Sequence, residues 1–161
     1  MKSIGLISDT HGILPDQFSS FFENCDEIWH AGDIGDYKVI TQLKNIKPLK
    51  AVYGNIDGGN TRLEFKNYLF FEIEKVKVLI IHIGGYPGKY DKYAYSLIQQ
   101  YKPNLFISGH SHILKVINDT KNNLLHINPG AAGRNGFQIK RTMVRFKIEE
   151  SRIFDLEIFE L

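Results

Sequence analysis

The chain has 161 residues, 43% of them hydrophobic and 24% charged, with a formal net charge of +2, values typical of one soluble globular domain, here residues 1–161. The small net charge gives no electrostatic reason to expect a nucleic-acid or membrane partner, and no apolar run approaches the roughly 18–20 residues that cross a bilayer. Because Cys25 is the only cysteine and the N-terminus shows no charged-then-apolar leader, we expect a cytoplasmic protein without an intramolecular disulfide.

The first two-thirds of the chain alternates short apolar runs with helical stripes. The apolar runs predict buried strands and cover residues 4–7, 28–29, 51–52, 78–81 and 105–107. Apolar residues at helical spacing predict three helices, at 14–22, 39–46 and 90–101. The prolines at 48 and 103 end the second and third of these helices. This alternation is typical of an α/β fold.

The second half of the chain is rich in hairpins. Short polar turns join apolar runs in pairs, which are 69–73 with 76–81, 114–118 with 124–128, and 137–148 with 152–159. These pairs predict antiparallel strands in addition to the parallel ones. We therefore expect two sheets packed face to face with helices outside, and glycine-rich loops at 54–59 and 84–88 around a site.

Polar side chains follow the five predicted strands of the α/β part at the point where each strand ends. They are Asp9, His11, Asp33, Asn55, His82, His110 and His112. In open α/β sheets, ligands collect beyond the carboxyl ends of the strands, and imidazole, carboxylate and amide groups all bind divalent first-row metals. The pattern therefore predicts a metal site, with enough ligands for two ions.

Taken singly, most of these motifs have an ordinary structural explanation. Asp9 could cap the following helical region, Asp33 could cap a turn, and Gly54-Asn55 is a common turn sequence. His110 and His112 could be solvated loop residues, although two histidines one residue apart after a buried strand add little to packing.

The order of the motifs resembles that of the calcineurin-like metallophosphoesterases, and within them the small single-domain bacterial and archaeal phosphodiesterases. In chain order the motifs read D-x-H from Asp9, G-D at Asp33, G-N-x-D at Asn55, H at His82 and G-H-x-H at His110, with Asn128-Pro129-Gly130 beyond them. The resemblance implies an α/β fold that forms a four-layer αββα sandwich of two mixed β-sheets flanked by helices.

The resemblance also implies a ligand set and a chemistry. One metal would be held by Asp9, His11, Asp33 and His112, and the second by Asp33, Asn55, His82 and His110, so that Asp33 bridges both. Two divalent ions are expected, with manganese favoured and iron, nickel or zinc compatible with such ligands. The implied activity is hydrolysis of a small phosphodiester by a metal-bridging hydroxide, with no further catalytic side chain.

Three residues depart from the family pattern. Ile56 stands where many members carry a histidine that can protonate a leaving alkoxide, and the small phosphodiesterases also lack that histidine. Ile83 follows His82 where glycine is usual, and Ala131 replaces a serine that is common in the subfamily. From Ile56 we expect weak turnover of substrates with poor leaving groups.

Other polar residues near the motifs have two interpretations each. Asp57 could orient a ligand from behind or be a plain loop carboxylate. His30 is better explained as a strand-end packing residue than as a ligand, and His126, inside a predicted strand, as structural.

Substrate contacts are suggested by two further features. Asn55 and Arg134 could contact a substrate phosphate, although a solvated arginine is the simpler explanation for Arg134. Tyr86, Tyr90 and Tyr93 could stack on a nucleobase, but tyrosines at such positions more often pack or form a surface for self-association.

Two other functions remain open at this stage. A eukaryotic relative, a subunit of the retromer coat, keeps the fold as a protein-interaction scaffold with a degraded metal site, whereas this chain retains all seven ligands. A phosphomonoesterase is disfavoured by Ile56 and by the lack of insertions that would shape a peptide groove. The substrate, the native metal and a homo-oligomeric state are not determined by the sequence.

Overall fold

The structure is a computed structural model, and it describes residues 1–138 and 140–161. Its strands are β1 (Lys2–Ile7), β2 (Glu27–His30), β3 (Leu49–Ala51), β4 (Tyr68–Ile73), β5 (Val76–Ile81), β6 (Gly85–Tyr86), β7 (Lys89–Tyr90), β8 (Leu105–Ile107), β9 (Leu114–Asp119), β10 (Leu124–Pro129), β11 (Thr142–Glu149) and β12 (Arg152–Glu160). Its helices are α1 (Phe18–Phe21), α2 (Tyr37–Ile46), α3 (Gly59–Glu64) and α4 (Lys92–Tyr101). In the described ranges, no helix is both long and apolar enough to cross a membrane.

Two five-stranded sheets form the body of the molecule, and both are mixed. The first has the order β12-β11-β1-β2-β3, in which β1, β2 and β3 are parallel and β11 and β12 are antiparallel additions. The second has the order β4-β5-β8-β10-β9, in which β5, β8 and β10 are parallel and the two edge strands are antiparallel. Each sheet therefore contains three parallel strands whose carboxyl ends can present functional loops.

The alternation of side chains along each strand divides the apolar residues into three clusters. One cluster fills the space between the sheets, with Ile4 and Leu6 of β1 facing Leu105 and Ile107 of β8. A second lies between the first sheet and helices α1 and α2, and a third lies between the second sheet and α4. The layers are helix, sheet, sheet and helix, so the expected four-layer αββα sandwich is confirmed.

Helix α1 is much shorter than the predicted helix at 14–22. Residues before Phe18 form turns in which the Phe18 N–H donates to the Pro15 carbonyl, and the Gln17 side chain gives no cap hydrogen bond. Leu14 and Phe22 are nevertheless buried, so the apolar spacing reports packing of a turn region on the sheet rather than one continuous helix.

The glycine-rich loops and the start of the last hairpin also differ from expectation. The predicted loop at 54–59 leads directly into α3, and the predicted loop at 84–88 contains the short β6–β7 ribbon. The strand expected at 137–148 begins only at Thr142, and its Ile139 lies outside the described residues. The chain before Thr142 is diverted toward β1, where the Ala132 N–H donates to the Ser8 carbonyl and the Gly133 N–H to that of Asp9.

Candidate metal centre

The seven predicted ligand residues follow five parallel strands and meet at one edge of the two sheets. Asp9 and His11 follow β1, Asp33 follows β2, Asn55 follows β3, His82 follows β5, and His110 and His112 follow β8. The first three strands belong to one sheet and the last two to the other. The candidate centre therefore lies across the junction of the sheets, where neither sheet alone supplies a complete set of ligands.

Five of these residues have backbone in the left-handed region. Their φ angles are 52° at Asp9, 46° at His11, 55° at Asp33, 70° at His110 and 61° at His112. Non-glycine residues rarely adopt this region, and each case costs of order 1–3 kcal/mol unless the surroundings impose it. Strain concentrated in this way at one edge of a sheet is typical of a functional site.

Asp9, His11 and His112 form a first group that could hold a cation, since one ligand atom from each lies within 4.8 Å of the others. Asp9 Oδ1 is 3.2 Å from His112 Nε2 and 4.0 Å from His11 Nε2. The other oxygen, Oδ2, accepts hydrogen bonds from the Ser8 hydroxyl and from the His110 N–H. The protein thus anchors one oxygen of this buried carboxylate and leaves the other facing the histidines.

Asp33, His82 and His110 form the second group, again with one ligand atom from each within 4.8 Å of the others. Asp33 Oδ2 is 3.2 Å from His82 Nε2, while Oδ1 accepts a hydrogen bond from the Ile56 N–H at 3.1 Å. Asn55 lies beside this group, with its Oδ1 3.1 Å from His110 Nδ1. The structure thus brings all seven predicted side chains together.

The carboxylate of Asp33 lies between the two groups. Its Oδ2 is 3.6 Å from Nε2 of His11 in the first group, in addition to the 3.2 Å contact with His82 in the second. Asp9 Oδ1 is also 3.9 Å from His82 Nε2. The two groups therefore adjoin closely, and Asp33 has the position of a shared ligand.

Within residues 1–138 and 140–161, three buried polar atoms at this centre have no partner in hydrogen-bonding geometry. They are Asp9 Oδ1, His11 Nε2 and His82 Nε2. An unpaired buried polar group costs about 1–3 kcal/mol, and natural proteins rarely leave three together without a reason. All three are ligand atoms of the kind that divalent metals accept, so the residues present fit a metal centre.

Hydrogen bonds made by Nδ1 fix the ring orientations of two histidines. His82 Nδ1 donates to the Ala31 carbonyl at 2.8 Å, and His112 Nδ1 donates to Gln138 Oε1 at 2.8 Å. Because a carbonyl oxygen can only accept, both rings carry their proton on Nδ1 and keep the electron pair of Nε2 for a metal. This is the usual support for histidine ligands.

The charges at the centre shift three pKa values. Burial alone would lower the pKa of His82, but the Asp33 and Asp9 carboxylates outweigh it and raise this pKa. The contact with Asp9 raises the pKa of His112. Burial would raise the pKa of Asp33, yet the contact with His82 outweighs it and lowers this pKa. The carboxylates thus favour positive charge at the centre, which a bound cation supplies while releasing protons.

Two glycines of the motifs are required because the backbone at these positions passes very close to candidate ligand side chains. A Cβ at position 54 would lie 2.1 Å from Asp33 Oδ1, and one at position 32 would lie 2.7 Å from His82 Nδ1. Position 32 also has a φ of +98°. Only glycine lets these turns pass so near the ligands.

Asp57 supports the loops that carry the candidate ligands. Its Oδ2 accepts hydrogen bonds from the N–H groups of Gly54 and Ile34, at 2.8 and 3.1 Å, and its Oδ1 accepts one from Gly35 at 2.9 Å. The side chain is nearly fully buried. Of the two interpretations considered for Asp57, the structure favours a supporting one, because this carboxylate joins the loop after β2 to the loop after β3.

Three supporting residues were not among the predicted site residues. The Asn128 side-chain amide donates to the Gly109 carbonyl and the Ser111 hydroxyl, and its oxygen accepts from the Gly130 N–H. Ser8 and Gln138 hold Asp9 and His112. The sequence signal for Asn128 is the Asn-Pro-Gly that ends β10, whereas nothing in the sequence singles out Gln138.

The remaining candidates lie as follows. His30 is buried, with Nε2 3.0 Å from the Thr10 hydroxyl and Nδ1 accepting from the Gly32 N–H, so neither nitrogen is free for a metal. Arg134 is exposed in a loop between Gly133 and Gln138. The Gly133 N–H donates a hydrogen bond to the Asp9 carbonyl. Ile56 and Ile83 are both partly exposed beside the second group.

Two open pockets flank the second group. One, of about 260 Å³, is lined by Asn55 and His82, and the other, of about 360 Å³, by His110 and Ser111. Ile83 lines both pockets. A substrate bound at the two groups of candidate metal ligands therefore has space for substituents on two sides.

Comparisons with known proteins show which family this chain resembles. The sequence profile of the calcineurin-like phosphoesterase superfamily domain matches residues 1–151. A probable metallophosphoesterase from Methanothermobacter thermautotrophicus is 33% identical over 137 residues, which cover 80% of this chain and 76% of the relative.

Two solved structures share the fold. A novel archaeal phosphodiesterase superposes with a TM-score of 0.75 at 24% identity, covering 99% of each chain. Wild-type Vps29 from Entamoeba histolytica, complexed with zinc, superposes with a TM-score of 0.76 at 15% identity, covering 99% of this chain and 98% of that one. At these identities the likeness concerns the fold alone.

Proposed function

The chain belongs to the calcineurin-like phosphoesterase superfamily, and from that premise we propose that it is a metal-dependent phosphodiesterase with a binuclear centre. The proposed ligands of the first ion are Asp9, His11, Asp33 and His112, and those of the second are Asp33, Asn55, His82 and His110. The proposed substrate is a small phosphodiester, and manganese is the first metal to supply.

One observation carries this proposal: Asp33 of the second ligand group also lies 3.6 Å from His11 of the first, and three buried ligand atoms of the two groups have no hydrogen-bond partner among the described residues. An interaction scaffold has no need of such an arrangement, which costs stability when no cation is bound. A hydrolase of this superfamily needs it for the chemistry described next.

Two divalent cations held by these residues would polarise a phosphoryl oxygen and lower the pKa of bound water, which would supply a hydroxide nucleophile near neutral pH. The side chains set the conditions for this chemistry. Asp33 places negative charge between the two ligand groups and would offset the repulsion between two bound cations. Neutral histidines and Asn55 as ligands would leave bound cations electrophilic, and we propose that Asn55 and Arg134 also contact the phosphate oxygens.

Two features favour a diester over a monoester. Pockets lie on both sides of Ile83, and a diester has two substituents to place whereas a monoester has one. The backbone N–H of Ile56 is already bonded to Asp33, and the aliphatic side chain of Ile56 has no proton to give to a strongly basic leaving group. An archaeal phosphodiesterase shares the fold, so this fold is compatible with diester hydrolysis.

A protein-interaction scaffold is the second candidate, because Vps29 shares the fold. The surface that could serve it is aromatic: Phe70 on edge strand β4 stacks on Tyr101 at 4.3 Å between ring centroids, and Phe70 is partly exposed. Hydrolytic activity separates the two candidates, because a scaffold does not require it.

The deciding experiment is hydrolysis of bis(p-nitrophenyl) phosphate by purified protein, first freed of metal and then supplied with Mn²⁺, Fe²⁺, Ni²⁺ or Zn²⁺ in turn. We expect turnover with Mn²⁺ and none in excess chelator, with the Asp33→Asn variant as the control for contaminating hydrolases. Protein that binds two equivalents of metal but hydrolyses no diester would favour the scaffold.

A further inference from the structure

The pocket of about 260 Å³ beside Asn55 and His82 has walls suited to a flat ring. Tyr93, on the first turn of α4, is half exposed and lines one side. Tyr53 and Arg62 also line the pocket, and the Arg62 guanidinium lies 4.4 Å from the centre of the Tyr53 ring. Aromatic and guanidinium planes are the groups on which nucleobases stack.

Arg62 is held by a residue that supports the loops of the candidate metal centre. Its Nε–H donates to the carbonyl of Asp57, the residue that joins two of the ligand loops. The stacked pair of Tyr53 and Arg62 is therefore held in place before any ligand arrives, which lowers the entropic cost of binding.

The pocket also has polar groups that could recognise the edge of a base. Asn67 brings a side-chain amide, and Asp91 brings a carboxylate whose Oδ2 caps α4 by accepting from the Ala94 N–H. An amide can donate and accept, and a carboxylate accepts from exocyclic amino groups. A plain aryl ring offers neither kind of partner.

The volume of the pocket limits the size of the occupant. Drug-sized ligands occupy pockets of roughly 300–1,000 Å³, so about 260 Å³ suits one ring system with its sugar at the opening. Because Asn55 and His82 line the same pocket, a ring bound there lies next to a phosphate at the centre.

We propose that this pocket binds the nucleobase of one ester arm, so that the substrates are nucleotide-derived phosphodiesters, with Tyr93 as a residue that determines specificity. This rests on the proposed function, because that function places the phosphate beside the pocket. The ring stacks between Tyr93 and the Tyr53–Arg62 pair, and its edge contacts Asn67 and Asp91.

Calorimetric binding to the Mn²⁺-loaded protein tests this proposal without requiring turnover. The probes are adenosine 5′-monophosphate, phenyl phosphate and inorganic phosphate. We expect the nucleotide to bind at least tenfold more tightly than either of the others. Tyr93→Ala should weaken nucleotide binding about 10–100-fold, the usual effect of losing one stacking partner, and should change phosphate binding less than twofold.

Two control variants separate stacking from general damage. Tyr93→Phe keeps the ring and should retain nucleotide affinity within about threefold. Tyr95→Ala removes a similarly exposed tyrosine from the same helix, but Tyr95 stacks on Tyr90 away from this pocket, so nucleotide binding should be unchanged. Unfolding midpoints of all variants show whether they are folded.

Three other outcomes of the binding experiment would overturn, change or support the pocket proposal. Nucleotide binding no tighter than phosphate binding, or equally weakened by Tyr93→Ala and Tyr95→Ala, would overturn the pocket proposal. If phenyl phosphate binds as tightly as the nucleotide, the pocket recognises a plain aryl ring and not a nucleobase. Tyr93-dependent nucleotide binding in protein that hydrolyses no diester would support the pocket and count against the proposed function.

Discussion

At the scale of single residues, Asp33 has the largest expected influence, because it contacts histidines of both groups. Asp33→Asn removes the negative charge between the two cations while keeping nearly the same shape. We expect metal occupancy to fall at both positions and diester hydrolysis to become undetectable. Metal content by elemental analysis, together with the rate on bis(p-nitrophenyl) phosphate, measures both effects.

Asp57→Asn is the matched comparison, since Asp57 contacts loop backbone rather than candidate ligands. The amide presents an NH₂ group to backbone N–H donors that now have a carboxylate oxygen. We expect a loss of about 10–100-fold in activity, typical of a group that supports metal ligands. Equal losses in the two variants would mean that the assignment of bridging and supporting roles is wrong.

Ile56 determines the expected dependence on the leaving group. General acid catalysis is worth roughly 10²–10⁴-fold, and its absence matters most where the leaving group is basic. Values of kcat/KM should therefore fall steeply from aryl to alkyl diesters. Ile56→His, at a partly exposed position beside Asp33, should flatten this dependence by helping alkyl substrates more than aryl ones.

A leaving-group series of kcat/KM for both proteins measures the slopes, with Ile56→Leu as the control for a changed loop. A shallow slope in the unmodified protein would show that another acid already protonates the leaving group.

His126 gives a pH-dependent stability with a defined sign. Burial lowers its pKa from 6.5 to about 4 in the folded protein, where the ring stacks on Phe106 and Nδ1 donates to the Phe106 carbonyl. The unfolded chain therefore binds a proton first as the pH falls. Stability is fully present above about pH 6.5 and declines toward pH 4, by roughly 2–3 kcal/mol at pH 4.5.

The test compares the free energy of unfolding of the unmodified protein and of His126→Phe at pH 7 and pH 4.5, both in chelator. The variant should lose less stability between the two pH values, by that amount, because Phe does not titrate. His30, whose pKa burial also lowers to about 4, is present in both proteins and cancels. An identical pH dependence would contradict the assignment.

At the scale of elements, six parallel strands end at the centre, and the sixth, β10, contributes support rather than a ligand. The Asn128 side chain at its end holds the loop after β8, which carries His110 and His112. Loops that carry function depend on such fixed neighbours, so the geometry of both groups depends on β10.

Asn128→Ala should leave the Gly109 carbonyl and the Gly130 N–H without their partners. We expect a loss of about 1–3 kcal/mol in stability for an unpaired buried group, together with weaker binding of both metals. Denaturant unfolding and metal titration measure the two effects. The control is Asn118→Ala on the neighbouring strand β9, where the side chain is exposed, and it should change neither quantity appreciably. An equal effect of Asn118→Ala would show that Asn128 does not specifically support the ligand loop.

At the scale of the whole molecule, the candidate centre joins the two sheets, because its ligands come from both. A cation bound there contacts loops of each sheet and stabilises the folded state only, by about 2.7 kcal/mol when its concentration is 100 times its Kd. For a chain of this length that corresponds to a rise of roughly 5–11 °C in Tm. Thermal unfolding with Mn²⁺ and with excess chelator measures it.

The Asp33→Asn variant is the control for that measurement, and its Tm should respond weakly to Mn²⁺. If chelator leaves the Tm of the unmodified protein unchanged although metal is removed, the metals do not bridge the sheets as the geometry indicates.

The sequence by itself determined five of the six parallel strands, the order of the motifs and the seven polar residues that follow those five strands. It could do so because buried strands are recorded as local apolar runs, and because residues at the carboxyl ends of parallel strands meet at one edge whatever the details of packing. The two antiparallel hairpins at 69–81 and 114–128 were equally visible, since a short turn between apolar runs is also a local signal.

Only the tertiary structure decided which groups support that edge and what flanks it. The contact of Gln138 with His112, the contacts of Asp57 with Ile34 and Gly35, and the pocket between Tyr93 and Arg62 join residues that are 22 to 31 positions apart in the chain. Such contacts have no periodic signature in the sequence. The short α1 and the late start of β11 have the same cause, since in both places packing against β1 and its loop overrides the local pattern.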